Sequence, residues 1–181
     1  MSETGGVKGT IARRSLGQAF LPLTLTGGII LVDQVTKLLA ARLLPFGRPI
    51  PVIGEVLRLT YVTNPGIAFS IGRNLAGPGR IVLAFVVPLV VLGLLLYYFF
   101  FARGVTPGQR WLLAAILGGG AGNYVDRVFR DSGVVDFIDF KFYGIFGLAR
   151  WPTFNVADAT VVVAGIWLLV SFIIAEARRS E

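Results

Sequence analysis

Residues 81–101 constrain this chain most, because they run for 21 positions without a charge. As a helix such a segment is about 31 Å long, which matches the ~30 Å hydrocarbon core of a bilayer. Three more apolar runs accompany it. Residues 16–44 are interrupted mainly by Gln18, Asp33, Gln34, Lys37 and Arg42. Residues 111–125 end at Asp126, and residues 159–175 follow Asp158. Only 15% of the 181 residues are charged, against about 25% in a soluble domain, so a water-soluble globule does not fit. The expected fold is a single integral membrane domain, residues 1–181, all-α with a small β element. Its transmembrane helices are expected near 16–44, 81–101, 111–129 and 155–175. Pro88 lies inside the second, where neighbouring groups in a bundle allow a kink without a break.

The segments between these helices differ in kind. Residues 45–70 open with Pro and Gly and then carry Val56-Leu57-Arg58-Leu59-Thr60-Tyr61-Val62-Thr63, a β-branched pattern suited to strands. They are expected to form a short extracytoplasmic sheet. Residues 131–153 are dense in Phe, Tyr and Trp, as at a membrane–water interface. An even number of spans places both termini on one side. The basic residues divide seven against seven between the two sides. Those on the terminal side, Arg13 and Arg14 among them, crowd the ends of short segments, so both termini are expected in the cytoplasm. The net charge of +7 then reads as topology and contact with anionic lipid. The basic residues are scattered and no nucleic-acid motif frames them, so no nucleic acid is expected.

Composition also removes chemistry. The chain has no Cys and no His. It therefore has no thiol nucleophile, no Ser-His-Asp triad and no His- or Cys-ligated metal, and acid–base work falls to carboxylates, Lys or Tyr. Of ten acidic residues, Glu3, Glu176 and Glu181 are terminal, Glu55 is in a loop and Asp131 is in a turn. The other five, Asp33, Asp126, Asp136, Asp139 and Asp158, all fall toward the outer face when the four spans are laid out. Ionisable groups at membrane depth point to function, although charge at an interface is also where it costs least. Asp33 and Lys37 have the favourable i,i+4 order of a helical ion pair. Asp126-Arg127 follow the small residues Gly118-Gly119-Gly120-Ala121-Gly122, which allow close approach of another backbone or a ligand.

Five motifs occur in order: Asp33-Gln34-Val35-Thr36-Lys37, Asn64-Pro65-Gly66-Ile67-Ala68-Phe69, Gly119-Gly120-Ala121-Gly122-Asn123-Tyr124-Val125-Asp126-Arg127, Val134-Val135-Asp136-Phe137-Ile138 and Phe154-Asn155-Val156-Ala157-Asp158. Together they resemble lipoprotein signal peptidase, or signal peptidase II, a bacterial membrane aspartic peptidase. The resemblance implies removal of signal peptides from diacylglyceryl-modified prolipoproteins by cutting before the lipidated Cys. Asp136 and Asp158 would be the catalytic pair. Asn64, Gly66, Asn123, Arg127 and Asn155 would line the cleft. Asp33 and Lys37 would support it, and Asp126 is expected to support Arg127. The resemblance further implies a site near the outer face of the cytoplasmic membrane, a monomer embedded in lipid, no metal, no cofactor, and inhibition by globomycin-like cyclic peptides. Asn155, just before the fourth helix, reads equally as a cap and as a positioning group. The segment between the last two motifs is longer than the family pattern suggests. Gly144 and Gly147 give it hinge freedom, so residues 137–151 are expected to act either as a lid over the pair or as a passive aromatic belt. A proton-coupled transporter using the same carboxylates is the rival reading, but no chain of polar groups crosses the second helix.

Overall fold

The computed structural model describes residues 20–66 and 77–179. Arg13 and Arg14, used above to place the termini, and residues 67–70 of the outer segment lie outside the described residues. Helix α1 is Leu23–Leu43. Strands β1, Ile50–Ile53, and β2, Leu57–Asn64, follow. Helix α2 runs from Pro78–Ile81 through a π-helical stretch, Val82–Val86, into Val87–Phe101. Pro88 accounts for the irregular stretch. It has no N–H to donate one turn back, and the Val87 N–H reaches Val82 O instead. Helix α3 is Pro107–Phe129, strand β3 is Val134–Phe140 and helix α4 is Val156–Ala177.

Exposure is inverted relative to a soluble protein. Asp33, Lys37 and Asp126 are fully buried, while Leu31, Leu94 and Leu169 are each more than 60% exposed. The apolar exterior suits a bilayer as solvent, and the polar interior holds groups that satisfy one another. Three helices, α1, α2 and α4, are long and apolar enough to cross a membrane. The fourth expected span is a helix too, and at 23 residues it is long enough. Its glycines, Gln109, Arg110, Asn123, Asp126 and Arg127 make it the most polar of the set.

Small residues place α3 between α1 and α4. A methyl group on Gly122 would stand 2.7 Å from Asp33 Oδ2, and one on Gly119 would stand 2.5 Å from Ala157 O. At one end of the bundle Phe99, Val105, Leu113, Ala114 and Leu117 form an apolar core. At the other end Ala40, Val135 and Phe137 pack with Leu59, Tyr61 and Val156, where the sheet meets the helices.

The sheet corrects the expected layout. It has three antiparallel strands in the order β1-β2-β3, and β3 comes from the segment expected to be an aromatic loop. Asp136 pairs with Val62 and Asp139 with Arg58. The backbone of Phe154 bonds both ways with Ile138 (2.8 and 3.0 Å) and accepts from the Phe137 N–H (3.0 Å). The chain entering α4 is thereby stitched to β3. Residues 137–140 are thus strand rather than lid. Beyond them Phe142 N–H donates to Ala149 O and Trp151 N–H to Phe140 O, both at 2.9 Å, which closes the aromatic segment into a hairpin. No single residue in that segment announces a strand, because its Phe and Ile suit a strand and an interface equally.

Candidate active site

Asp136 and Asp158 arrive from different elements. Asp136 is in mid-β3, and Asp158 is the third residue of α4. Two asparagines join them. Asn155 Nδ2 donates to Asp136 Oδ1 at 2.7 Å, and Asn123 Nδ2 donates to Asp158 Oδ1 at 2.7 Å. Asn155 Nδ2 also reaches Asn123 Oδ1 at 3.1 Å, so the two amides form a bridge between the carboxylates. Asn155 is the cap that its place suggested, and its side chain also reaches Asp136. Its Oδ1 accepts from the Asp158 N–H (2.9 Å), and Asp158 Oδ2 accepts from the Asn155 N–H (3.2 Å). This reciprocal capping box fixes the first turn of α4. Asn64 Nδ2 lies 3.3 Å from Asp136 Oδ2, and its Oδ1 accepts from the Gly66 N–H. Arg127 donates to Gly66 O (2.9 Å) and Asn123 O (3.2 Å) and feels the charges of Asp158, Asp136 and Asp126. Burial, followed by the neighbouring Asp158 charge, pushes the Asp136 carboxyl up to about 7, against the pull of Asn155, Asn64 and Lys37. A carboxyl that keeps its proton near neutrality beside a second carboxylate is the electrostatic condition for acid–base work on an amide.

Beneath this pair lies a charged cluster with no solvent exposure. Lys37 Nζ is 2.8 Å from Asp33 Oδ2, 3.0 Å from Asp126 Oδ2 and 2.8 Å from Asn123 Oδ1. Each acid also holds a backbone N–H next to the pair. Asp33 Oδ1 accepts from Ala157 and Asp126 Oδ2 from Val135, both at 3.0 Å. Ala157 precedes Asp158 and Val135 precedes Asp136, so the two supporting carboxylates fix the backbone at both sites. The expected support of Arg127 by Asp126 is limited to its charge: the direct ion pairs of Asp126 are with Lys37 (3.0 Å) and Arg130 (3.1 Å). Residues i and i+1 of a helix point about 100° apart, whereas i and i+4 share a face. Gln34 also belongs to this cluster, donating to Gly122 O (3.0 Å), Asp33 and Asp126 (both 3.2 Å). Its signal was its place within the first motif.

Asp139 is separate. It lies three residues from Asp136 on the strand and therefore faces the other side of the sheet. There it binds Arg58 (2.7 Å), Arg150 and Thr60 (3.4 Å). Burial raises its carboxyl, but the two arginines outweigh this and hold it below the usual carboxylate range. Arg150 Nη1 also donates to Glu55 O at 3.0 Å, which fastens the aromatic hairpin to the turn between β1 and β2. Sequence reasoning missed this clamp, since nothing in the spacing of positions 58, 139 and 150 links them.

The family model for signal peptidase (SPase) II matches residues 25–174. The chain is 46% identical to the lipoprotein signal peptidase of Treponema denticola over 90% of its length and 94% of that protein. It is 41% identical to that of Treponema pallidum over 91% of its length and 89% of that protein. Its fold is similar to that of a solved bacterial membrane enzyme with a TM-score of 0.73, at 27% identity, covering 92% of this chain and 93% of that one. These matches span all five motifs and both carboxylates, and the chain belongs to the signal peptidase II family of bacterial membrane peptidases, which remove signal peptides from prolipoproteins.

Proposed function

We propose that Asp136 and Asp158 are the catalytic residues of an aspartic endopeptidase that cuts its prolipoprotein just before the diacylglyceryl-modified Cys. The amide bridge through Asn155 and Asn123 carries this reading, because it ties the two carboxyls into one network in which, beyond burial, the charge of Asp158 raises the proton affinity of Asp136. The ionised member takes a proton from water while the water oxygen bonds to the scissile carbonyl carbon. The protonated member first donates a hydrogen bond to that carbonyl. It then gives its proton to the departing amide nitrogen as the C–N bond breaks. Asn64, Gly66 and Arg127 border the pair and in this reading hold the extended peptide. The two carboxyls exchange protons with water and substrate, so these steps call for no metal or cofactor.

In this reading residues 1–181 are one peptidase domain with four spans. Helix α3 is the fourth, shielded by α1 and α4 so that its polar residues face protein rather than lipid. The enzyme acts as a monomer surrounded by lipid. The site lies where α1 and α3 end and α4 begins, beside the sheet. With both termini cytoplasmic, that end is the outer face. The test is cleavage of a diacylglyceryl-modified peptide by purified protein. Asp136→Asn and Asp158→Asn should each abolish turnover while leaving the protein folded. Turnover by either variant at a tenth of the normal rate or above would remove that residue from the chemistry.

A further inference from the structure

Lys37 has three donors and three acceptors, and the third acceptor reaches the chemistry. An ammonium only donates, so the Asn123 atom facing Lys37 at 2.8 Å must be the amide oxygen. The other end of the planar amide, the NH2, then has to face Asp158, which it does at 2.7 Å. Turning the amide over would set NH2 against ammonium and oxygen against carboxylate, losing both bonds together with the longer one from Asn155 Nδ2 at 3.1 Å. The two oxygens of Asp158 are consequently occupied by pure donors, Asn123 Nδ2 and the Asn155 N–H. Asp136 is held less evenly. Its Oδ1 has a short bond from Asn155, but its Oδ2 has only Asn64 at 3.3 Å. A carboxylate with donors on both oxygens favours ionisation, and the one with a loosely held oxygen has room for the proton.

We infer that Lys37 is a positioning residue which, by orienting the Asn123 amide, makes Asp158 the ionised base and leaves the shared proton on Oδ2 of Asp136. The inference rests on the dyad reading above. The charged groups facing Asp158 are Asp33 and Lys37 from α1, Arg127 from α3 and Asp136 from β3, with Asp126 of α3 behind Lys37. Lys37 is the cation that also holds an amide bonded directly to Asp158. Beyond burial, the charge of Asp158 raises the proton affinity of Asp136, in agreement with this assignment.

Lys37→Met alone would strand two buried carboxylates and invite misfolding. The informative variant is Lys37→Met/Asp126→Asn, which removes one charge of each sign and leaves a side-chain amide oxygen at position 126 to accept from the Val135 N–H. Asp126→Asn alone is the comparison, because the Lys37–Asn123 contact survives in it. Both variants are purified full length, checked by thermal melting, and assayed on a diacylglyceryl-modified peptide across pH. In the double variant Asn123 Oδ1 keeps only the longer bond from Asn155 Nδ2, at 3.1 Å, so the amide is held less firmly against Asp158 and the acidic limb of kcat/KM should move upward by about one unit. kcat at low pH should fall about ten-fold, with KM little changed. In Asp126→Asn the limb should stay where the parent has it, whatever the loss of stability. Equal limbs in the double variant, the single variant and the parent would overturn the inference and leave Lys37 a structural ion-pair partner. Failure of the dyad reading would appear separately, as turnover by Asp136→Asn or Asp158→Asn.

Discussion

Gly119→Ala tests whether the close packing of α3 on α4 sets catalytic geometry. The added methyl would lie 2.5 Å from Ala157 O and 2.7 Å from Val161 Cγ2. The first contact is backbone and cannot rotate away. To bring it to 3.0 Å, α4 must withdraw by 3.0 − 2.5 = 0.5 Å, and to reach an ordinary 3.4 Å, by 0.9 Å. Asp158 is the next residue along. If α4 moves directly away, its 2.7 Å bond to Asn123 lengthens by the same amount, to between 3.2 and 3.6 Å, the upper end of which is no hydrogen bond. A misplacement of about 1 Å costs roughly 100-fold in rate, and overpacking of this kind costs about 1–3 kcal/mol of stability. Two further substitutions separate geometry from helix propensity. A methyl on Gly120 meets only the tip of Leu92 at 2.9 Å, and one on Gly165 meets nothing within 4 Å. Both should retain activity, and Gly165→Ala should gain up to about 1 kcal/mol from helix propensity. The assay is kcat on a diacylglyceryl-modified peptide beside a thermal melt. If Gly119→Ala turns over as fast as Gly120→Ala, the packing does not set the position of Asp158 and the argument fails.

Three other outcomes are expected. Asp136 carries its proton up to about pH 7 in the folded enzyme, against a usual value of 3.8, so turnover should decline as pH rises through about 7. The same shift means the folded state binds the proton more tightly than the unfolded one, so this group's contribution to stability falls as pH rises from about 4 to 7. Asp136→Asn should therefore melt higher than the parent at pH 8 while being inactive; a lower melting temperature would contradict the cost assigned to burying this carboxylate. Asp139 is shifted the other way by its arginines. Its contribution is present above the unfolded value and is lost as pH falls through the folded one, so Asp139→Asn should destabilise the protein at pH 7 and progressively less in acid, and an equal loss of melting temperature at every pH would refute the ionic clamp. Cleavage should persist in EDTA, and inhibition reversed by added zinc would overturn a mechanism built on two carboxyls.

Much of this protein was legible along the chain. A run of 21 uncharged residues declares a membrane helix without reference to anything else, because the cost of placing charge in hydrocarbon acts residue by residue. The absence of His and Cys left carboxylates as the acid–base groups, and the five ordered motifs pointed to Asp136 and Asp158. The capping box of Asn155 and Asp158 is likewise a local pattern, three residues apart. The tertiary structure decided what depends on facing and register. Asp126 pairs with Lys37 and Arg130 and not with its neighbour Arg127, because helix geometry turns consecutive side chains apart. Asp136 and Asp139 divide between the proposed catalytic pair and a clamp because β3 sends positions three apart to opposite faces. That β3 is a strand at all follows from its pairing with β2 and with Phe154, contacts made by backbone groups that every residue carries. Two carboxyls 22 positions apart in sequence are joined through Asn155 and Asn123 because those backbone bonds, together with the carboxylates of Asp33 and Asp126, seat the strand and the helix terminus against each other.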